Sequence, residues 1–428
     1  MMIDNLVVAV VGVGHVGLPV AVAFSKKYDV IGFDISEKRI EKLKDGKDDT
    51  RQFQREELKG SSIHFTADPS RIGEAGFVII TVPTPLDEND QPDLTSLKRA
   101  AKTVGENMKK AAVIVFESTV FPGTTEEICI PLLEEYSGFE AGVEFFVGYC
   151  PERFNPGERK TPITKIRKVV AGQSEAVLEF VAAVYGNVLD AGIFKAKSIR
   201  IAEAAKVIEN TQQDVNIALI NEFSMIFNRL GIDTGDVLET AGTKKSFLKF
   251  TPGFAGGPRL GTDSYYLAHK ANAAGYNPEI IMASRRVNDG MGSYLACLIA
   301  KKMARRGLAA GTRLTVLGVS YKEDNGDLRN SGVIEVVWEL EEYGFEVQVA
   351  DSCADPGEAD ERYGLVLTPE QQLLPASAII LAIPHTSYKE AGWPMIRELL
   401  AGGTGMVFDI KGVLNPTEKP MDIELWRL

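Results

Sequence analysis

At 428 residues the chain is too long for one ordinary hydrophobic core, and 45% hydrophobic with 25% charged residues excludes a disordered protein. A net charge of −12 argues against nucleic acid or an anionic membrane as the main partner, while a local basic site can still hold an anionic substrate. Cys129, Cys150, Cys297 and Cys353 are scattered without a CxxC pair, which predicts no metal or redox centre and fits a reducing cytoplasm. No cationic region precedes the first apolar run, so no signal peptide is expected, and no apolar run reaches membrane-spanning length.

Residues 6–11, LVVAVV, read as a strand. Gly12-Val-Gly14-His-Val-Gly17 follows, then a helical pattern over 18–27, a second strand over 29–33, and Asp34. Strand, glycine turn, helix, strand and acid stand in the order a dinucleotide site requires. Gly12 makes the turn, Gly14 lets backbone approach a pyrophosphate, and Gly17 allows the helix to pack on the strand. Asp34 is placed to accept from a ribose 2′-OH and to repel a 2′-phosphate, so NAD is expected over NADP.

Strand patterns recur over 76–82 and 112–117 and end in polar loops, Pro83-Thr84-Pro85 and the stretch from Ser118 and Thr119 to Thr125. Ligands of open α/β sheets sit beyond the carboxyl ends of strands, so these loops are expected to border the cofactor. Thr124 and Thr125 serve equally well as N-caps of the next helix. A strand over 145–149 runs into Cys150-Pro-Glu152-Arg153-Phe-Asn-Pro-Gly, where a carboxylate and a guanidinium between prolines suggest a rigid polar site. Residues 169–171 close this first domain, expected to end at 197.

Residues 199–230 read as one unbroken helix, roughly 45 Å long, with Gly231 as its stop. Apolar residues mark one stripe, at Ile201, Ala205, Ile208, Val215, Leu219, Phe223, Ile226 and Leu230. Lys206, Asn210, Gln213 and Asn221 share another face, read as functional at its first end. The stretch 243–267 follows, with Gly253, Gly256, Gly257 and Gly261 beside Pro252 and Pro258, and predicts an irregular functional loop. Helical patterns resume over 264–274 and 278–303. A second α/β unit begins at 313, with strands over 313–320, 346–350 (ending in Asp351) and 378–383; its last core strand is at 407–410 and the tail is peripheral. The fold class expected is α/β: two Rossmann-like doubly wound domains, 1–197 and 306–428, joined by the long helix and a helical middle domain, 198–305. The long apolar stripe predicts a homodimer through that helix.

Seven of these stretches stand in the order of one family: VVGVGHVGLPVA, PTPL, ESTVFPGTT, YCPERFNPG, AEAAKVIENT, FTPGFAGG with Asp263 and YYL, and YKEDNGDLRNS. Together they resemble the UDP-glucose/GDP-mannose dehydrogenase family over nearly the whole chain. CPERFNPGE and ENTQQDVNIALINEF look most like the branch oxidising UDP-N-acetylhexosamines, the Vi-antigen type UDP-N-acetylglucosamine 6-dehydrogenases. The resemblance implies oxidation of a sugar C6 alcohol to a carboxylate with two NAD, in surface-polysaccharide biosynthesis. A cysteine thiolate captures the intermediate aldehyde and water hydrolyses the resulting thioester. It implies that Lys206 and Asn210 hold the C6 oxygen and its developing charge, and that Glu152 and Asp263 manage protons and water. It adds Val16 and Arg39 to the cofactor residues Gly12, Gly14, Gly17, Asp34, Thr84, Ser118 and Thr119. For the UDP-sugar it implies Glu152, Arg153, Phe154, Lys206, Asn210, Phe247, Phe250, Gly253, Gly256, Tyr265, Lys322 and Arg329. Core packing accounts for Phe247 and Tyr265 equally well, and a surface location for Arg329.

The pattern breaks at one loop. The family carries His-Cys after its two glycines, and here Gly256-Gly257 is followed by Pro258-Arg259. A guanidinium is neither nucleophile nor base, so Arg259 occupies the place of the nucleophile without its chemistry. Cys150, on the same side of an extended segment as Glu152, is a weaker substitute than a buried structural cysteine. Gln213, Thr251 and Ser264 also depart from the branch pattern, around the same site. Two functions are therefore expected as alternatives: an NAD-dependent UDP-sugar oxidoreductase that stops short of the acid, or a silent NAD- and nucleotide-sugar-binding relative of an active enzyme.

Overall fold

The computed structural model describes residues 5–50, 52–153, 162–257 and 260–428, so Phe154, Pro258 and Arg259 lie outside the described residues. The chain divides into two compact units, Met1–Glu209 with Tyr265–Tyr276, and Asn210–Ser264 with Asn277–Leu428. Among the described residues, no helix is long and apolar enough to cross a membrane.

The first unit is built on β1 (Val7–Val11), β2 (Asp29–Phe33), β3 (Ile63–Thr66), β4 (Phe77–Ile80), β5 (Val113–Phe116), β6 (Phe146–Tyr149), β7 (Lys168–Gly172) and β8 (Ile193–Lys195), in the order 3-2-1-4-5-6-7-8. The first six strands are parallel, β6 meets β7 antiparallel, and β8 extends the sheet beyond the strand expected to close it. Ala9, Val11, Ile31, Phe33, Val78 and Ile80 pack on one face, and Val8, Val10, Val30, Phe77 and Ile79 on the other. Both faces are buried, which is why these strands read as continuous apolar runs rather than alternations. The strand order reverses on either side of β1, and ligands of open α/β sheets bind at such a switch point, beside the loops after β1 and β4.

The second unit carries a parallel sheet of β9 (Arg313–Leu317), β10 (Glu346–Ala350), β11 (Ala378–Leu381), β12 (Gly405–Asp409) and β13 (Ile423–Arg427), ordered 10-9-11-12-13. The tail expected to be peripheral is in fact β13, paired along its length with β12. Trp426 is buried, packs against Phe408 and donates from Nε1 to Asn228 Oδ1 at 3.2 Å. One short half-alternating strand with no helix after it left little pattern to read.

The helix Ile199–Leu230 is continuous and stops at Gly231, whose φ of +71° suits glycine. Its apolar stripe is not what packs against the chain's own cores: Ile201, Ile208, Leu219, Ile226 and Leu230 are 45–65% exposed. The buried side carries Glu203, Lys206, Thr211, Asp214, Asn221 and Ser224. Buried polar groups persist only where they are paired. Glu203 accepts from the Gly123 and Thr125 N–H groups at 2.6 and 2.9 Å, and thereby caps the helix expected to use Thr124 or Thr125. Thr124 makes no capping bond; its hydroxyl donates to Phe121 O.

Candidate active site

In the first unit the glycine turn is shaped as its sequence demands. Gly12 takes φ +92°, and a Cβ on Gly17 would fall 1.9 Å from Gly12 O. A Cβ on Gly14 would meet nothing within 4 Å, so this edge of the turn is open to a ligand. The helix Gly17–Phe24 starts after Val16 with no side chain capping it. Asp34 Oδ2 accepts from Val13 N–H at 3.1 Å and Oδ1 from Ser36 N–H at 2.9 Å, which fixes the carboxylate beyond β2. Arg39 donates from Nε and Nη2 to Val13 O and from Nη2 to Asp48, while its buried Nη1 has no partner among the described residues. An open glycine edge, an uncapped helix N-terminus, an anchored acid and an unmatched guanidinium donor fit a dinucleotide. Replacing Asp34 with Ser is expected to weaken NAD binding about tenfold or more and to erase the preference over NADP, as read by calorimetric titration of both nucleotides.

The loops after β4 and β5 are tied to each other. Thr84 Oγ1 donates to Thr119 O at 2.7 Å and Ser118 Oγ to Val82 O at 2.6 Å. Tyr266 OH donates to Thr84 O at 2.9 Å. Thr84 and Ser118 thus present oxygen acceptors rather than protons to a ligand.

β6 delivers Cys150 and Glu152 inward. Glu152 is buried, and its Oε2 lies 3.2 Å from the Lys168 ammonium, which in turn lies 2.5 Å from Glu117 Oε2. Tyr185 OH donates to the other Glu117 oxygen at 2.5 Å. Arg153 turns the other way, ion-paired with Glu209 and donating to Arg167 O, so the expected polar site splits in two. Burial pushes the Cys150 thiol well above its ordinary value, which keeps it protonated and argues against a substitute nucleophile. Lys206 is buried and Tyr265 half-buried in the same unit. Glu117, Lys168 and Tyr185 were missed from sequence; the available signal was an acid ending one apolar strand and a lysine opening another.

In the second unit Asn210 Nδ2 donates to the buried Asp263 at 2.6 Å. Next to it, Ser264 Oγ donates to Asp214 at 2.7 Å, and Asp214 also accepts from Arg285 and Asn288. Asn221 exchanges two hydrogen bonds with Gly253, so the far end of the predicted polar face holds the glycine-rich loop instead of facing a ligand. Gly256 packs where a Cβ would lie 2.6 Å from Asn330 O. Gln213 is exposed, and Phe247 and Phe250 are half-buried. Lys322 is exposed, whereas Arg329 is held by the Asp327 carboxylate through Nε and Nη2.

Asp351 repeats the place of Asp34, accepting from the Val319 and Ser320 N–H groups. Burial raises its carboxyl, but His385 and those N–H groups outweigh this and hold it below the ordinary range. Asp351, Cys353 and His385 lie within reach of one ion. However, His385 Nδ1 accepts from Asp324 N–H, so Nε2 carries the ring proton toward Asp351. A metal-bound imidazole needs the opposite arrangement, its second nitrogen donating.

A doubly wound unit with a dinucleotide-type glycine turn, followed in the chain by a buried Lys, a half-buried Asn and a buried Asp on helices, fits an NAD-dependent dehydrogenase of the CH–OH group. The chain belongs to the UDP-glucose/GDP-mannose dehydrogenase family, whose NAD binding, central and UDP binding domain models match residues 6–189, 200–290 and 315–416. It is 48% identical to Protein CapL of Staphylococcus aureus over 99% of this chain and 100% of that one. It is 46% identical to UDP-N-acetyl-D-glucosamine 6-dehydrogenase of Pseudomonas aeruginosa over 98% and 100%. The solved structure of UDP-D-ManNAc dehydrogenase from Pyrococcus horikoshii aligns at a TM-score of 0.88, with 30% identity and 99% of both chains covered.

Proposed function

We propose that the chain oxidises C6 of a UDP-N-acetylhexosamine and stops at the aldehyde. The observation that carries this reading is the Asn210–Asp263 hydrogen bond: the half-buried amide and the buried acid expected to serve the reacting oxygen are paired, although the nucleophile's place holds Arg259. NAD, when bound, supplies the hydride acceptor. Lys206 and Asn210, one helical turn apart on the long helix, hold the C6 oxygen as its charge develops. Glu152 and Asp263 receive and return protons. Arg153, Phe247, Phe250, Tyr265, Lys322 and Arg329, with Gly253 and Gly256, are assigned to the nucleotide-sugar. Relatives at 44–48% identity over 97–99% of the chain support the hexosamine, since two of them are named UDP-N-acetyl-D-glucosamine 6-dehydrogenase. Absorbance of NADH on mixing with a panel of UDP-sugars tests the assignment. One NADH per UDP-N-acetylhexosamine is expected with an aldehyde trapped by hydroxylamine, and silence with every sugar overturns it.

We also propose a homodimer through the long helix, supported by its exposed Ile201, Ile208, Leu219, Ile226 and Leu230. Light scattering is expected to give twice the 46.7 kDa chain mass at micromolar concentration. Leu219→Glu with Ile226→Glu is expected to give the monomer; a monomeric natural chain refutes the proposal.

A further inference from the structure

Val13, inside the glycine turn, is held at both ends of its backbone. Its N–H donates to Asp34 Oδ2 at 3.1 Å, and its carbonyl oxygen accepts from Arg39 Nε and Nη2, both at 3.2 Å. Asp34 and Arg39 thus meet at one residue of the turn, the acid just beyond β2 and the guanidinium in the first turn of the helix Glu37–Lys44. An acid at this place selects the ribose 2′-OH of NAD, whereas an arginine nearby accommodates the 2′-phosphate of NADP. This chain carries both, so the engagement of Arg39 decides what the pair selects.

A guanidinium grips phosphate bidentately through one of two edges, Nε with Nη2 or Nη1 with Nη2. Nη2 belongs to both. Val13 O closes the first edge, and Nη2 also donates to Asp48 Oδ1 at 2.9 Å, which closes the second. Nη1 remains as a one-ended donor, without a partner among the described residues. Asp48 is itself fixed in place. Its side chain is fully buried against an Arg39 side chain that is 12% exposed. It accepts from the Thr50 N–H at 2.9 Å and hydroxyl at 2.7 Å, from Gln52 N–H at 2.9 Å and from Phe53 N–H at 3.2 Å. Burial raises its carboxyl, but the Thr50 hydroxyl, Arg39 and the N–H groups of Gln52 and Thr50 outweigh this and hold it below the ordinary range.

We propose that Asp48 is a cofactor-specificity residue: it withholds Arg39 from a 2′-phosphate, so that the preference for NAD rests on two carboxylates. Asp34 acts at the ribose, by accepting the 2′-OH and repelling a phosphate. Asp48 acts through Arg39, and makes of a residue suited to NADP a brace for the glycine turn.

Calorimetric titration of NAD and of NADP onto the chain and its variants is the test. Asp34→Ser alone is expected to leave the two nucleotides about equally bound. Adding Asp48→Asn frees Arg39, and NADP is then expected to bind about tenfold or more tighter than NAD. Adding Arg39→Leu to that pair is expected to abolish the gain. Damage to the turn lowers affinity for both nucleotides and cannot raise one of them, so a gain for NADP reports the release of Arg39. A double variant that binds NAD but gains nothing for NADP overturns the proposal. A gain that survives Arg39→Leu also overturns it, since another cation then holds the phosphate. If Asp48→Asn does not fold, Asp34→Ser with Arg39→Leu carries the test with Asp48 intact. Relative to Asp34→Ser, that variant is expected to lose affinity for NAD and NADP alike. A loss about tenfold larger for NADP would place Arg39 on the phosphate already and refute the role of Asp48. Should Asp34→Ser keep the preference for NAD, the reading of Asp34 fails, whereas a preference lowered by Asp48→Asn alone still supports that of Asp48.

Discussion

The double variant Pro258→His with Arg259→Cys is expected to form two NADH per UDP-N-acetylhexosamine and release the uronic acid, where the natural chain forms one NADH and no acid. The second hydride can leave only after the aldehyde carbon has become tetrahedral. A thiolate achieves this by adding to the carbonyl, and the resulting thioester is then open to water. Arg259 cannot, because its guanidinium stays protonated above pH 12 and offers no lone pair. A permanent cation there has two other uses: a bidentate grip on an anionic sugar group, or an ion pair that lowers the basicity of a neighbouring carboxylate. The acid and amide assigned to the reaction are in place, with Asn210 on Asp263, which makes partial recovery of the four-electron reaction the expected result. Product analysis by mass spectrometry checks it. Two NADH and a uronic acid from the natural chain would show that the missing thiol blocks nothing. A double variant that stays silent while NAD and UDP-sugar still bind would show a pocket rebuilt beyond this loop, and favour a binding protein that partners an active relative.

Asp214→Ala is expected to destabilise the second unit by about 3–5 kcal/mol, the cost of removing the buried carboxylate from a buried cation. Asp214 is fully buried and accepts from Arg285 at 2.5 Å, Ser264 at 2.7 Å and Asn288 at 2.8 Å. Truncation removes the carboxylate from all three donors; Asn288 keeps its bond to the residue 214 backbone oxygen, and Asp289 at the surface end of Arg285 replaces only part of the lost charge. Trp338, Trp393 and Trp426 all lie in the second unit, so tryptophan fluorescence reports its unfolding alone. The urea midpoint is expected to fall by about 1–2 M, given the size of the unit. Because Ser264 follows Asp263, catalysis is expected to fall with it even under folding conditions. Asp214→Asn keeps the shape and loses the charge; a midpoint unchanged in both variants would show that the network carries no stability.

The sequence alone placed the glycine turn of the NAD-binding domain and most of the sheet strands, because these are local patterns. A glycine turn between strand and helix, an acid after the next strand and unbroken apolar runs depend on chain direction and spacing, which any reader of the sequence has in hand. Gly12, Gly17 and Asp34 stand in the structure as those patterns require. It also shows Pro258-Arg259 where the family resemblance leads one to expect His-Cys, since motif order needs no coordinates. Tertiary structure decided the rest. The polar side of the long helix is buried and its apolar stripe exposed, because Glu203, Asp214 and Asn221 find partners from segments far along the chain. Periodicity measures how side chains are distributed around a helix and carries nothing about which distant groups will satisfy them. For the same reason Glu117, Lys168 and Glu152, each unremarkable in its own stretch, become one charged cluster only when β5, β6 and β7 lie side by side.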